Sequence, residues 1–436
     1  MRASIGISGG RVTHIAYDSH PMPPAQGCVE INLGGFLVMP GLINAHDHLQ
    51  FALYPKLGDP PYRNYVEWGA DIHDKYSDVI AKHHTVPKDV RLWWGGLRNL
   101  LSGVTTVSHH DPLRPDLKNE DFPVRVIQNY GWAHSLALGG DLRKARSVTP
   151  AGSAFIVHAC EGVDAQSREE LFELDRLGLL DHNAVLVHGL AIDEVGAELI
   201  RSRRASLVLC PSSNKFLFEK LPDLAAFGRV DHVALGTDSP LTCEGNLLDE
   251  VRFVQQYSGI TPQSAYRMVT DVPAAILKLR NAEGSIRVSG VADFIAVREP
   301  HQDASDRMRT MSGADVEFVM IAGRVQLASE AVFLDLPFLE QQGLQPLRVA
   351  GIVRWVRVPV KELLRKAEEA LGIGEVRLGG KPVDVPGCTD LPAELHSQRG
   401  CGDKPLEERV AGPPRPLLHV HQNKRGADGP FWRTVV

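Results

Sequence analysis

Short apolar runs bounded by turn residues alternate with stretches of helical period through the middle of the chain. This alternation is typical of repeated β-α units and a parallel sheet. Seven strands are clear, and 133–138 is the candidate for an eighth, but the gap 131–153 is short for a strand together with a helix. We therefore predict an α/β fold in which residues 40–283 form a (β/α)8 TIM-like barrel with some distortion. The clear strand candidates are 38–44, 104–108, 124–130, 154–158, 184–188, 206–210 and 233–237.

The segments on either side of this region show short strands separated by glycine-containing turns. Residues 1–39 form one such segment and residues 284–334 the other. We predict that they are the two halves of one small β-sandwich domain, which comes together around the barrel.

Two further stretches differ from both patterns. The connection 49–87 is long and rich in aromatic residues, and connections of this length tend to be functional, so we predict a lid or pocket wall. Residues 335–436 are predicted as a C-terminal extension that is partly mobile. Within it, a helix is expected from Pro359 through Leu371, whereas 379–436 is rich in Gly, Pro and charge.

Composition and charge limit the classes of function. The 436 residues include 47 Lys and Arg against 53 Asp and Glu, a formal net charge of −6. The hydrophobic fraction of 43% is that of an ordinary globular protein. The mild negative charge argues against nucleic-acid binding, which needs a clustered basic face.

Cysteine usage and hydropathy bear on the compartment. The six cysteines are too few and too scattered for a disulfide framework, so we expect reduced thiols. The N-terminus lacks the apolar stretch of a secretory signal, and no run reaches the roughly 18 apolar residues of a membrane helix. We predict a cytoplasmic protein that does not contact the membrane.

Polar residues stand at the carboxyl ends of four predicted strands, and in a parallel barrel these ends converge on one face. His46 and His48 are two apart on a strand, so both side chains point the same way and can bind one ion. Imidazole suits Zn, Fe or Ni, and an added carboxylate leaves room for water. A single His at a strand end is more often structural, but the joint pattern indicates a metal centre. The residues are His46, Asp47 and His48, then His158 and Glu161, then His188, and then Asp238.

Several ordered segments resemble the amidohydrolase superfamily, specifically the branch of cytosine, guanine and S-adenosylhomocysteine deaminases and triazine hydrolases. They run from the first strand to the closing β domain. They are PGLINAHDH at 40–48, GVTTV at 103–107, the HxxE pair His158 and Glu161, CPSSN at 210–214, GTD at 236–238 and GVADF at 290–294.

The resemblance implies one divalent metal, zinc or alternatively iron, held by His46, His48, His158 and Asp238. No Lys occupies a strand end, so a second metal is not expected. Such an ion lowers the pKa of water from about 15.7 toward about 7. Asp238 could then take a proton from the water, Glu161 could protonate a ring nitrogen, and His188 could stabilise the oxyanion.

The leading functional prediction is hydrolytic deamination of a small amino-substituted N-heterocycle. One alternative is a cyclic amidase that opens a ring C–N bond, similar to imidazolonepropionase. The other is an inactive scaffold protein, although such proteins typically lack metal ligands. The resemblance also implies a homo-oligomer.

Weaker candidates surround the proposed centre. We predict substrate contacts from Gln50, His109, Trp132 and His134; His110 is the alternative to His109, because one of the pair is expected to face the pocket. Cys160 is predicted to be a small buried filler. His419 and His421 repeat the two-apart spacing without a strand-end context, so we expect them to be exposed to solvent.

Overall fold

We describe a computed structural model, which covers residues 3–17, 28–223, 232–243, 245–258, 260–298, 303–387 and 432–435. The strands are β1 Ala3–Ser8, β2 Arg11–Tyr17, β3 Val29–Asn32, β4 Phe36–Pro40, β5 Leu42–Asp47, β6 Val104–His109, β7 Arg125–Val126, β8 Gly131–Ala133, β9 Phe155–Ala159, β10 Ala184–His188, β11 Ser206–Leu209, β12 Val233–Leu235, β13 Phe294–Arg298, β14 Val316–Ile321, β15 Arg324–Ala328, β16 Gln345–Val349, β17 Ile352–Val356, β18 Arg377–Leu378, β19 Lys381–Asp384 and β20 Trp432–Val435.

The helices among the described residues are α1 Tyr65–Lys75, α2 Ser77–His84, α3 Lys88–Leu100, α4 Leu142–Ser147, α5 Ala165–Arg176, α6 Glu194–Arg203, α7 Pro211–Phe218, α8 Leu247–Ser258, α9 Pro262–Arg267, α10 Asp271–Ile276, α11 Ala304–Met308, α12 Glu330–Asp335, α13 Phe338–Gln341 and α14 Val360–Leu371. Short 3-10 helices cover Leu49–Phe51, Pro115–Lys118 and Gly313–Asp315.

The middle of the chain forms two parallel sheets, as the β-α alternation predicts. Strands β5, β6 and β7 make a three-stranded sheet, and strands β12, β11, β10, β9 and β8 make a five-stranded sheet in that order. The end of β12 meets β5, because the backbone N–H groups of Thr237 and Asp238 donate to the carbonyl of His46 at 3.0 and 3.2 Å.

Residues of the parallel strands alternate between two cores. Ile156, Val185 and Val208 belong to one cluster of buried side chains. Phe155 and Leu186, each next to one of these residues in the sequence, belong to another, larger cluster that also takes in the flanking helices. Because both faces are covered, these strands are apolar at nearly every position.

The region between β7 and β9 differs from the prediction. Instead of one strand over 124–130 and another over 133–138, the structure has the short strands β7 and β8. The chain turns after Ala133, because the Gly139 N–H donates to the Ser135 carbonyl at 2.7 Å and the Leu138 N–H donates to the Ser135 hydroxyl. A turn of this kind leaves no extended segment for a strand at 133–138.

The two flanking segments meet in the larger of two further sheets. Strand β4 pairs with β13, with Phe36 opposite Arg298 and Pro40 opposite Phe294. The larger sheet has the order β18-β19-β16-β17-β15-β14-β13-β4, and a second sheet has the order β2-β1-β20-β3. Buried residues from both sheets share one hydrophobic cluster, which includes Ile5, Ile7, Phe318 and Trp355.

The predicted C-terminal extension contributes to this architecture. Strands β16 to β19 continue the larger sheet beyond β15, and β20 lies between β1 and β3. The helix expected from Pro359 to Leu371 is present as α14, and its buried Val360 and Leu363 share a core with the parallel strands. The two histidines at 419 and 421 lie outside the described residues.

Two further expectations concern cysteines and membranes. The thiols of Cys28, Cys160, Cys210 and Cys243 are free, while Cys388 and Cys401 lie outside the described residues. Within the part of the chain that the structure describes, no helix has the length and apolar character that crossing a membrane requires.

Candidate active site

Side chains from the ends of three parallel strands and from the loop after β12 meet at one point. The Nε2 atom of His158 lies 3.1 Å from Nε2 of His46 and 3.4 Å from Nε2 of His48. The Oδ1 atom of Asp238 lies 3.6 Å from Nε2 of His48 and 3.9 Å from Nε2 of His46. The four residues predicted as metal ligands therefore come together, and His188 lies next to them at the end of β10.

The donor set fits a single divalent cation. Ligands about 2.0–2.1 Å from a tetrahedral zinc ion lie about 3.3 Å from one another, which is close to the spacings between these nitrogen and oxygen atoms. Three imidazoles and one carboxylate also form a borderline donor set of the kind that zinc and iron accept.

Burial keeps His46 and His158 in the neutral form that binds a cation. It holds the pKa of His46 and of His158 well below the ordinary value, and neighbouring imidazoles lower both further. The orientation of His158 is fixed because its Nδ1 lies 2.8 Å from the carbonyl oxygen of His134. A ring that donates from Nδ1 presents the lone pair of Nε2 to the cluster.

Asp238 is oriented by two hydroxyl groups. Its Oδ2 accepts hydrogen bonds from Ser213 at 2.8 Å and from Thr242 at 3.0 Å, which leaves Oδ1 facing the histidines. The backbone of Asp238 has a positive φ of 54°, so the chain turns sharply shortly after strand β12. Both contacts come from segments that follow parallel strands.

A second polar network lies behind the histidines. Asp47, between His46 and His48, accepts hydrogen bonds from the guanidinium of Arg98 at 3.2 Å and from the amide of Asn99 at 2.7 Å. The side chains of Asp47, Arg98 and Asn99 are all buried. Since Arg98 and Asn99 belong to α3, the network attaches this helix to strand β5.

Glu161 and His188 form a buried pair beside the cluster. Oε2 of Glu161 lies 3.5 Å from Nε2 of His188, while Nδ1 of His188 lies 3.0 Å from Oδ1 of Asn214. Burial raises the pKa of Glu161 well above its ordinary value, and Asp238 raises it further. Burial lowers the pKa of His188, with Asp238 and Asn214 acting in the opposite direction.

Residues 151–326 match the family described as the Amidohydrolase family. The resemblance to the amidohydrolase family is confirmed. A 5-methylthioadenosine/S-adenosylhomocysteine deaminase from Syntrophobacter fumaroxidans is 25% identical over 389 residues, which are 74% of this chain and 87% of that protein.

Two solved structures have a fold similar to that of this chain. An adenosine deaminase from Xanthomonas campestris with bound zinc has a TM-score of 0.60 at 17% identity, over 84% of this chain and 92% of that chain. An atrazine chlorohydrolase from Arthrobacter aurescens in complex with zinc has a TM-score of 0.62 at 14% identity, over 84% of this chain and 95% of that chain.

The predicted substrate contacts differ in how close they lie to the histidine cluster. The ring of His110 is 4.3 Å from that of His158 and 5.1 Å from that of Trp132, measured between centroids. The ring of His134 is 4.8 Å from that of His158. Trp132, His134 and His110 therefore lie together on one side of the histidine cluster.

His109 and Gln50 are less directly placed. Nδ1 of His109 accepts a hydrogen bond from the Leu49 N–H at 3.4 Å, and burial lowers its pKa to about 3. The ring contacts with the cluster come from His110, the alternative within the pair. Gln50 is buried, and its Oε1 has no hydrogen-bond partner among the described residues.

The sequence alone assigns no role to three residues that support the candidate active site. They are Ser213 and Asn214, within the CPSSN segment, and Thr242, four residues after Asp238. The position of CPSSN directly after a predicted strand is a usable signal for the first two. Thr242 lies in a loop with no comparable signal.

The long connection after β5 crosses segments that follow three parallel strands. The N–H groups of Leu57, Tyr62 and Tyr65 donate to the carbonyls of Leu241, Leu217 and Glu161 at 2.9, 2.8 and 3.2 Å, respectively. The connection contains helices α1 and α2, so it is not an irregular loop. These contacts place it as a wall beside the strand ends, in agreement with the lid or pocket wall expected from the sequence.

Proposed function

We propose that this chain is a metal-dependent hydrolytic deaminase of a small amino-substituted N-heterocycle. The observation that carries the proposal is the convergence of His46, His48, His158 and Asp238 beside the buried Glu161 and His188 pair. The deaminase names of the similar proteins support the same reaction.

The proposal also covers how the sheets are arranged into domains. We propose that the three-stranded and five-stranded parallel sheets are two arcs of one (β/α)8 barrel, to which residues 40–283 belong. Residues 1–39 and 284–334 would then form a β-sandwich domain. The contact of β12 with β5 and the shared cluster of the antiparallel sheets support this division.

His46, His48, His158 and Asp238 would hold one ion, with zinc favoured over iron. Zinc in the two similar structures supports this choice. When bound, the ion supplies hydroxide near neutral pH by lowering the pKa of water to about 7. The Oδ1 atom of Asp238, which faces the histidines, would lie beside that water and could receive its proton.

Glu161 is suited to protonate the substrate. Because its pKa is raised, the carboxyl holds a proton that it can deliver to a ring nitrogen as the adjacent carbon is attacked. Nδ1 of His188 donates to Asn214, which leaves Nε2 of the neutral ring as an acceptor toward Glu161. In the other neutral tautomer, in which the Asn214 amide donates to Nδ1, Nε2 carries the ring proton and His188 can donate it in a hydrogen bond to the developing oxyanion.

The aromatic side of the site is suited to a flat ring. We propose that Trp132 and His134 contact the heterocycle, together with Gln50 and one of His109 and His110. The ring contacts of His110 favour it within the pair.

Ammonia release tests the function directly. Purified protein, after its zinc and iron contents are measured, is offered adenosine, 5-methylthioadenosine, guanine, cytosine and amino-triazines. We expect one molecule of ammonia per molecule of a hydroxylated product from at least one of these classes. His46→Ala should abolish both bound metal and turnover, while His182→Ala, at an exposed position, should affect neither.

Other outcomes separate the alternatives. Ring opening without ammonia would favour the cyclic amidase. Metal-free protein that remains inactive after zinc or iron is added would favour the scaffold. Full turnover by His46→Ala would contradict the ligand assignment.

A further inference from the structure

Glu170, on helix α5, contacts the backbone of the turn that carries Glu161. Its Oε2 accepts a hydrogen bond from the Cys160 N–H at 2.7 Å, and its Oε1 accepts one from the Tyr65 hydroxyl at 2.9 Å. Glu170 is 6% exposed, and no cationic partner faces it among the described residues. Because burying a charge is costly, the burial of this carboxylate with these two donors calls for an explanation.

The turn at Cys160 reverses the normal alternation of the strand. His158 faces the metal-binding cluster, so strict alternation would point Cys160 inward and Glu161 outward. Instead, Ala159 and Cys160 both belong to the larger hydrophobic cluster, which the parallel strands share with the flanking helices. Glu161 faces His188. The backbone of Cys160 has a φ of 57°, in the left-handed region that residues with a Cβ seldom adopt.

The carbonyl of Glu161 is held from the other side. It accepts a hydrogen bond from the Tyr65 N–H at 3.2 Å. Tyr65 thus contacts the turn directly through its backbone and indirectly through its hydroxyl on Glu170. Gly162 allows this close approach, because a Cβ on it would lie 2.6 Å from the Arg63 carbonyl.

We propose that Glu170 is a positioning residue, which fixes Cys160 in the left-handed conformation and so aims Glu161 at His188 and the substrate. A left-handed non-glycine residue persists only where surrounding contacts determine it. The hydrogen bond from the Cys160 N–H to Glu170 is such a contact. This inference rests on the proposed deaminase function, in which Glu161 transfers a proton.

Glu170→Gln tests the proposal. The variant is nearly isosteric, but the NH2 group that replaces one carboxylate oxygen cannot accept a hydrogen bond from the donor on that side. We expect kcat to fall about 10- to 100-fold, as is typical for residues that orient catalytic groups, with KM and metal content unchanged. The matched control is Glu169→Gln, one residue earlier on the same helix and exposed, which should leave all three quantities unchanged.

The Glu170→Gln substitution made in Cys160→Gly protein separates a positioning role of Glu170 from a general loss of structure. Glycine adopts positive φ readily, so in Cys160→Gly protein the turn depends less on Glu170. The loss of kcat from Glu170→Gln should therefore be smaller in that background. An equal loss in both backgrounds, or a parallel loss of metal and kcat, would overturn the proposal.

A crystal structure of the Glu170→Gln variant gives a readout that does not need turnover. We expect Cys160 to leave the left-handed region and the carboxylate of Glu161 to move away from His188. An unchanged turn with the 3.5 Å contact retained would refute the positioning role. Inactivity of metal-loaded wild-type protein would instead contradict the deaminase function, while the crystallographic comparison would still decide the role of Glu170.

Discussion

Backbone conformation at single residues helps decide which side chains reach the candidate active site. Cys160, His188 and Asp238 all have positive φ, at 57°, 77° and 54°. Each comes at or just after the end of a parallel strand, where the chain must leave the sheet. Left-handed residues other than glycine persist only where surrounding contacts hold them, so contacts around these turns help to direct the side chains beside the site.

Substitution of Glu161 separates its role from metal binding. We expect Glu161→Gln to keep the metal and to lose about 10²- to 10⁴-fold in kcat, because the amide cannot transfer a proton. The measurement is kcat alongside metal content. Loss of the ion would show instead that Glu161 is a ligand.

Glu250, on α8, should make stability depend on pH. Burial raises its pKa from an ordinary 4.5 to about 7, although Ser212 donates to it through its N–H and its hydroxyl. Between these values the folded protein keeps a proton that the unfolded chain releases. The contribution of Glu250 to the free energy of unfolding is therefore fully present below about pH 4.5. It is lost as pH rises toward 7, at no more than about 1.4 kcal/mol per pH unit.

The variant Glu250→Gln removes this titration, and its amide resembles the protonated carboxyl. Thermal unfolding of wild type and variant between about pH 5 and 7 should show a shallower decline for the variant. Glu169→Gln, at an exposed site, should follow the wild-type curve. Parallel curves for Glu250→Gln and wild type would contradict the assignment.

At the scale of elements, one ion pair attaches the parallel strands to the antiparallel sheet. The guanidinium of Arg125, on β7, contacts both carboxylate oxygens of Asp293, next to β13, and also donates to the Thr106 hydroxyl. The Asp293 side chain is 2% exposed and accepts a further hydrogen bond from the Ala322 N–H. Removing the cation would leave a buried carboxylate without its main partner.

We expect Arg125→Met to lower the free energy of unfolding by about 3 kcal/mol, measured by urea denaturation. The matched control is Arg324→Met. Arg324 pairs with Asp121 on the surface, where such a pair contributes about 0–1 kcal/mol. Equal effects of the two substitutions would show that the buried pair does not stabilise the contact between the sheets.

At the scale of the whole molecule, the last described strand joins parts of the chain that are distant in sequence. Strand β20 pairs antiparallel with β1 and parallel with β3, so it fills the centre of its sheet. The proposed metal ligands lie on or directly after strands of other sheets, or in the loop after β12. The stability of the small sheet should therefore depend on the C-terminal residues, whereas the metal site should not.

Deleting residues 388–436 tests this expectation. The cut preserves β19, which pairs with β16. We expect a lower Tm with the metal content per chain retained. Removal of Val436 alone, which leaves β20 intact, should change neither; an unaltered Tm after the long deletion would show that β20 adds no stability.

The meeting of polar side chains at the strand ends could be predicted from local patterns in the amino-acid sequence. Strand ends and period-two spacing are local properties, and parallel strands bring their carboxyl ends to one edge. The choice of His46, His48, His158 and Asp238 as the proposed metal donors came from the amidohydrolase resemblance of the same short segments.

The direction of the neighbouring side chains depended instead on contacts between distant parts of the chain. The turn at Cys160 directs Glu161 inward, and the position of His110 after β6 brings its ring, in place of that of His109, toward the cluster. The pairing of β20 with strands at the other end of the chain was equally beyond local patterns. Periodicity sets a side chain's direction only while the strand continues; beyond its end, direction depends on hydrogen bonds to residues far away in sequence.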